Sequence, residues 1–460
     1  MKKIYILLVG ILGFGISSCD DFLNELPTEA IAEEEAFTSV KDFSNNLNGV
    51  YNEMGNYRLF GRDVICLGDA ASDIVFHSAS SGHFLTLSEW QVQSTEIILE
   101  DIWNYGYKVI NNSSRIIQAG ETVDLPETSE IDGYVAQAYG LRALTTFALT
   151  NIFALPYTDA NKSTLGIVNI STPVEVYQEV SRSTLGENYT HILSDIAKAK
   201  EYFGKEDVED PGSYYMNLNA VYALEARVKL YMKDYAGAIA AANEAIDLRG
   251  GSLANTPDAY TSLFTSNSIS QEDIFTLVKS AADHPGANSL GTMYTLYGLS
   301  IPAAILSQYP ETDIRTSILS EYGAKYSGTS EGADASNIGI FRLPELYLIL
   351  AESYAAQGNY AEAKENLLVI SLARNPGLDA ASIPENSQIV SFIRQERKLE
   401  LIQEGHRYFD VRRWQEKITV GRGKYQNYDP SLFAYPIPQA EINSGFGIVQ
   451  TEGWDRNLPK

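Results

Sequence analysis

The strongest constraint on the fold is a spacing that occurs twice. Tyr222, Ala226, Tyr235, Ala238, Ala242 and Ala245 recur, at the same intervals, as Tyr347, Ala351, Tyr360, Ala363, Leu367 and Ile370. Such a spacing predicts two helices joined by a short turn. Small residues let the helices approach, and tyrosine fills the groove beside them. The second copy adds Leu350, Tyr354 and Gly358, and Lys229 stands in the first where Tyr354 stands in the second. The copies start 125 residues apart, so they are not one tandem array in the sequence.

The unit resembles the tetratricopeptide hairpin, and helical periodicity elsewhere agrees. Residues 33–56 place Phe37, Val40, Phe43, Leu47, Val50, Tyr51 and Met54 at three- and four-residue steps, and further helices are expected over 96–118, 131–153, 174–203, 344–374 and 387–404. Two stretches break the pattern. Residues 73–93 interleave His77, His83, Phe84 and Trp90 with serines and glycine, and residues 250–325 are rich in Gly and Pro with Tyr294 and Tyr297 among them. Long polar-aromatic loops carry function more often than packing. Asp73, His77, His83, Trp90, Tyr294 and Tyr297 are therefore the ligand-binding candidates. Trp90 is expected to be exposed or partly packed. Trp103 and Trp414 lie on helical patterns and are expected in the core, as is Cys66.

At the N-terminus Lys2 and Lys3 precede an apolar run of 13 residues, Ile4 to Ile16, too short to span a bilayer comfortably. It ends in Ser17–Ser18–Cys19, which resembles a bacterial lipobox. Residues 1–18 then read as a signal peptide, with lipid attached at Cys19. Residues 19–32, acidic and ending near Pro27, read as a tether whose Phe22 and Leu23 dock under the body. The body is expected to divide into 33–250 and 251–460. The formal net charge of −25 argues against nucleic acid and disfavours anionic substrates.

Catalytic motifs are weak. Gly328–Thr329–Ser330–Glu331–Gly332 matches G-x-S-x-G, but its flanks are loop residues rather than a strand and a helix, so it reads as a chance match. No histidine sits in a zinc motif, and neither a cofactor nor a metal is expected. The densest charged run, residues 394–414, puts Glu396, Glu400 and Glu404 on one side of a helix, Gly405 at its stop, and Asp410 and Arg413 at i,i+3. Carboxylates interleaved with arginines are held ionised. Glu396, Arg397, Glu400, Glu404, Arg407, Asp410 and Arg413 are thus expected to form a structural ion network rather than an acid/base pair.

That run, E-R-x-x-E-L-x-x-E-G-x-R-x-x-D-x-R-R-W at 396–414, resembles the signature of the SusD/RagB family. So do Cys19–Asp20–Asp21–Phe22–Leu23, Trp103–Tyr107–Ile110–Asn111, Ala138–Leu141–Arg142–Ala143, and Pro436–Ile437–Pro438 with Glu441, Gln450 and Gly453. The matches run in order from residue 19 to residue 453. The resemblance implies an all-α protein, a tetratricopeptide-like scaffold of helical pairs with a long-loop, irregular ligand-binding region. It also implies a non-enzymatic lipoprotein anchored in the outer membrane and facing the cell exterior. Such a protein captures oligosaccharides and delivers them to a SusC-like TonB-dependent transporter. The alternatives are a peptide-binding subunit on the same scaffold and a glycosidase on a helical frame. The family's glycan sites have no portable motif, so no ligand residue transfers.

Overall fold

The computed structural model describes residues 36–460 apart from 79, 80, 127, 176 and 333. The signal peptide, Cys19 and the docking of Phe22 and Leu23 lie outside the described residues.

Helices dominate: α1 (Val40–Met54), α2 (Asp63–Ala70), α3 (Ile97–Thr122), α4 (Thr128–Phe153), α5 (Leu185–Phe203), α6 (Leu218–Tyr231), α7 (Tyr235–Arg249), α8 (Pro257–Thr265), α9 (Leu290–Thr295), α10 (Leu343–Ala356), α11 (Tyr360–Arg374), α12 (Ile389–Glu400) and α13 (Arg407–Trp414). Among the described residues three antiparallel strand pairs join them. β1 (Phe76–His77) pairs with β3 (Leu299–Ser300), β2 (Asp273–Leu277) with β4 (Ile338–Arg342), and β5 (Ile418–Val420) with β6 (Tyr425–Tyr428).

Helices α3 to α7 pack one against the next, and α7 then packs on α10, which packs on α11. The two copies of the hairpin, α6–α7 and α10–α11, are therefore neighbours in space. Residues 250–342 leave the stack and return to it, so separation in the sequence hides an array that is contiguous in the fold. Ala226, Ala238, Ala242 and Ala245 are buried in the first copy, and Ala351, Ala363, Leu367 and Ile370 in the second. The paired tyrosines are half-buried beside them. Both turns use one left-handed residue at the same position, Lys233 (φ 62°) and Gly358 (φ 82°). One hydrophobic core runs from Phe43 to Ile448, and a smaller one joins α10, α11 and α12.

Some helix limits differ from the periodicity. The expected helix over 174–203 begins only at Leu185. Residues 165–167 bond back to Ser183 and Thr184, and Thr184 caps the helix with Glu187 in a reciprocal box. The expected helix over 387–404 stops at Glu400, after which Gln403 (φ 64°) and Gly405 (φ 78°) turn the chain. Gly405 is needed there because a β-carbon would lie 2.7 Å from the Ile65 backbone. Ser330 is exposed in a tight turn closed by the Thr329–Gly332 bridge, with no elbow geometry.

Candidate functional site

The two segments singled out separately form one surface. Phe76 and His77 pair with Ser300 and Leu299, and the Ser78 N–H donates to the Gly298 carbonyl at 2.6 Å. The Ser81 hydroxyl donates to the Tyr297 carbonyl at 2.5 Å. The zipper stacks the His83 imidazole on the Tyr297 ring, centroids 4.5 Å apart. Both are half-buried, and Leu296 beside them is 73% exposed. Beneath, Arg62 lies over Tyr57 and Phe84 and donates to the Asn288 side chain at 3.0 Å. Burial lowers the His83 pKa, and the Arg62 charge lowers it further, which favours the neutral ring.

Three of the other four candidates face inward, and Asp73 is half-buried. Trp90 is 2% exposed, its ring edge-on to Tyr428 at 4.7 Å and to Phe433 at 5.3 Å. The expectation of an exposed indole is corrected. A one-turn helix, Leu85–Ser88, ends the loop, and a left-handed Trp90 (φ 57°) swings the ring into the core. Tyr294 is fully buried and donates to Asp69 Oδ2 at 2.6 Å. Asp73 is bidentate with Arg407 at 2.7 and 2.9 Å. His77 is buried in β1, its backbone N–H donating to the Ser88 hydroxyl at 3.3 Å. Aromatic composition marked the right segments, but it could not say which rings a turn would fold inward.

The charged run forms a buried network, but its partners come largely from elsewhere. Glu400 accepts from Arg374 at 3.0 Å through two nitrogens, from Arg342 at 3.2 Å and from Arg315 at 3.3 Å. Glu272, just ahead of β2, accepts from Arg342 at 2.9 Å and Arg374 at 2.8 Å. Glu404 pairs with Arg342 and, at 2.6 Å, with Lys325. Glu396 takes Arg315 at 2.6 Å. The run's own arginines serve a second cluster. Arg397 pairs with Asp410 at 2.7 Å, Arg413 with Asp410 at 2.9 Å and with Glu352, and Arg407 with Asp73 and Glu416. Burial would raise the Glu400 and Glu404 carboxyls. Arg374 and Arg342 at Glu400, and Arg342 and Lys325 at Glu404, override it and hold both below the usual carboxylate range.

Residues of the other signature stretches also fix backbone. Arg142 is bidentate with Asp195 at 2.7 and 2.8 Å. The Asn111 side chain accepts from the Val174 N–H, and Gln450 exchanges two bonds with the Ile437 backbone. Trp103 is buried against Phe153 and Tyr107, as expected. Trp414 is only half-buried, because its indole N–H reaches out to Glu352 at 2.7 Å. Cys66 is buried, as expected. Among the described residues no group of three or more His, Cys, Asp or Glu could hold a metal ion. Among them also no helix is long and apolar enough to cross a membrane.

Comparison with known proteins gives consistent matches. A model described as "SusD family" matches residues 260–454, and one described as "Starch-binding associating with outer membrane" matches residues 21–230. SusD-like protein P38 of Formosa agariphila is 22% identical, over 91% of this chain and 93% of that protein. SusD-like protein P2 of the same organism is 25% identical over 44% of this chain, which spans 38% of that protein's length. A SusD superfamily protein from Bacteroides fragilis superposes with a TM-score of 0.79 at 26% identity, covering 90% of this chain and 99% of that one. One from Bacteroides vulgatus gives 0.82 at 24%, covering 91% and 100%. A SusD-like carbohydrate binding protein, also from Bacteroides vulgatus, gives 0.70 at 17%, covering 83% and 84%.

Proposed function

Since this chain belongs to the SusD/RagB family, we propose that it is a non-catalytic carbohydrate-binding protein of the outer membrane. Lipid at Cys19 anchors it facing the cell exterior, and it passes captured oligosaccharides to a SusC-like TonB-dependent transporter. The described body has no membrane-crossing helix, which suits a body held by its N-terminus. One acyl chain holds only marginally, whereas the several chains of a lipoprotein hold firmly.

The observation that carries the reading is the His83–Tyr297 stack, on a surface zipped from two loops and lined by Ser81 and Gly82. Neutral sugars are held by flat aromatic faces with hydroxyl partners beside them. The descriptions of the starch-binding family model and of the carbohydrate-binding neighbour support the same ligand class. The carboxylates of the ion network are committed to guanidinium groups, which supports binding over hydrolysis.

Calorimetry of the full chain in detergent against a panel of neutral oligosaccharides tests the reading. Tyr297→Ala is expected to weaken the best ligand roughly ten- to a hundredfold, by analogy with stacking on other rings, and to leave the melting temperature unchanged. A parent that binds no member of the panel, or a Tyr297→Ala variant that binds as tightly, sinks the assignment. Cys19→Ala is expected to move the protein out of the membrane fraction.

A further inference from the structure

A second groove, of about 450 Å³, shares no residue with the His83–Tyr297 surface. Asn48, Tyr51 and Asn52 of α1 line it, with Tyr215 ahead of α6 and Lys279 and Asp283 after β2. Lys279 is 8% exposed, and its ammonium has no hydrogen-bond acceptor and no carboxylate within ion-pair distance among the described residues. Asp283 is close enough only to oppose the lowering that burial imposes on the Lys279 pKa. The ammonium lies over Gly55, 3.3 Å from where a β-carbon on that residue would sit, so the bare backbone makes room for it. The residue is mostly buried, but its ammonium is not among the enclosed, unbonded polar atoms, so it opens to the groove, where an anion can reach it. Arg315, Arg342, Arg374 and Lys325 are all paired.

The rest of the groove says what would bind. Tyr215 is 39% exposed and sits edge-on to Tyr51, centroids 5.3 Å apart. The Tyr51 hydroxyl is tied between the Gln137 side chain and the Met216 N–H, so the pair is rigid. Asn48 and Asn52, one turn apart on α1, are exposed, and no hydrogen bond within the described fold engages their amides. A fixed ring, two open amides and one cation fit a pyranose carrying an acidic substituent. A peptide fits less well. It would seek a strand edge, and β2 beside the groove is covered by β4 on one side and by the Thr276 N–H bond to the Ser213 carbonyl on the other. The net charge of −25 repels anions at a distance, so preference for one has to come from a local cation held in the groove.

We propose that this groove is a subsite for an acidic sugar residue. Its carboxylate or sulfate ester pairs with the Lys279 ammonium, its ring lies on Tyr215, and its hydroxyls meet Asn48 and Asn52. The proposal rests on the carbohydrate reading and narrows the ligand to glycans with anionic units.

Full-length protein in detergent is titrated with a tetragalacturonate, a sulfated galactotetraose, neutral galactotetraose and a tetrapeptide with a free C-terminal carboxylate. One acidic sugar is expected to bind at least tenfold more tightly than the neutral one, and which of the two does so identifies the anion. Lys279→Met is expected to erase that preference while the melting temperature holds or rises. Asn52→Asp, on an exposed helical site, is expected to weaken acidic sugars alone. Absence of any acid preference in the parent, its persistence in Lys279→Met, or a lower melting temperature of that variant overturns the proposal. Lys279-dependent binding of the peptide without the sugars also overturns it. Neutral-sugar binding lost in Tyr297→Ala reports on the wider carbohydrate reading separately, because that residue is outside the groove.

Discussion

The ion network around Glu400 and the groove around Lys279 both hold cations on mostly buried residues, and they treat them in opposite ways. Glu400 and Glu272 each face two or more guanidinium groups at hydrogen-bond distance. The Lys279 ammonium opens to its groove and has no acceptor within hydrogen-bond distance among the described residues. A network whose charges are mutually committed has little left to offer a ligand. It orders the chain, here tying α11, α12, β4 and the segment before β2 into one body. An incomplete site keeps its interaction energy for something outside the fold.

The largest expected effect breaks the complete side. Glu400→Ala strands Arg374, Arg342 and Arg315 in the interior. Removing one partner of a buried pair destabilises by roughly 3–5 kcal/mol. Thermal melting should fall by several degrees, or expression should fail, against a flat or rising melt for Lys279→Met. A Glu400→Ala protein of native stability would mean that the complete network is no more structural than the groove, and the contrast would collapse.

A slightly smaller effect is expected at Trp90. Truncation to alanine removes a ring packed between Tyr428 and Phe433 and should destabilise by about 3 kcal/mol. The indole N–H has no acceptor among the described residues, so Trp90→Phe should lose much less. Paired melts of the two variants check this. A Trp90→Ala protein that melts like the parent and loses sugar affinity would put the indole back on the ligand surface.

How much of this was legible in the sequence follows from the range over which each feature acts. The hairpin spacing, the Trp103 core position and the ion pairing of the 394–414 run are set by local periodicity or by a run in a single stretch. The contiguity of the two hairpins was not legible, because it depends on residues 250–342 leaving and rejoining the stack. The partners of Glu400 were not legible either. Arg315, Arg342 and Arg374 are isolated in the sequence; the β2–β4 pairing brings Arg342, the α11–α12 contact brings Arg374, and the turn Ile314–Ser317 packed on α8 brings Arg315. The loop candidates divided for a similar reason. Composition marked residues 73–93, while a left-handed backbone at Trp90 accompanies the inward indole, and pairing with residues 297–300 brings His83 to Tyr297. Lys279 carried no motif at all. Its signal is a missing partner, which only three dimensions reveal.

Asp69 sharpens the comparison from the anionic side. It is fully buried and takes hydrogen bonds from the Tyr294 hydroxyl and the Gly405 N–H, at 2.6 and 3.2 Å, without an ion pair among the described residues. Burial pushes its carboxyl up to about 7, against the lowering by Tyr294 and Gly405. The unfolded chain loses this proton near the ordinary carboxylate value of 3.8, while the folded chain keeps it until about pH 7. Between those values the native state binds more protons, so this group's contribution to stability falls as pH rises and levels off above about 7. Asp69→Asn keeps an acceptor for Gly405 and offers an amide to the Tyr294 oxygen, and it carries no charge. It should therefore match the parent near pH 4 and exceed it at pH 8 by on the order of 4 kcal/mol, read as the difference between two denaturation series across pH. Glu400 has the opposite sign, because its depressed carboxyl contributes stability above about pH 4.5 that is lost on acidification. A variant-minus-parent difference that stays flat from pH 4 to 8 would show that hydrogen bonds alone are enough to keep Asp69 ionised in the interior. Missing ion pairs would then be no guide to destabilised charge here, at Lys279 included.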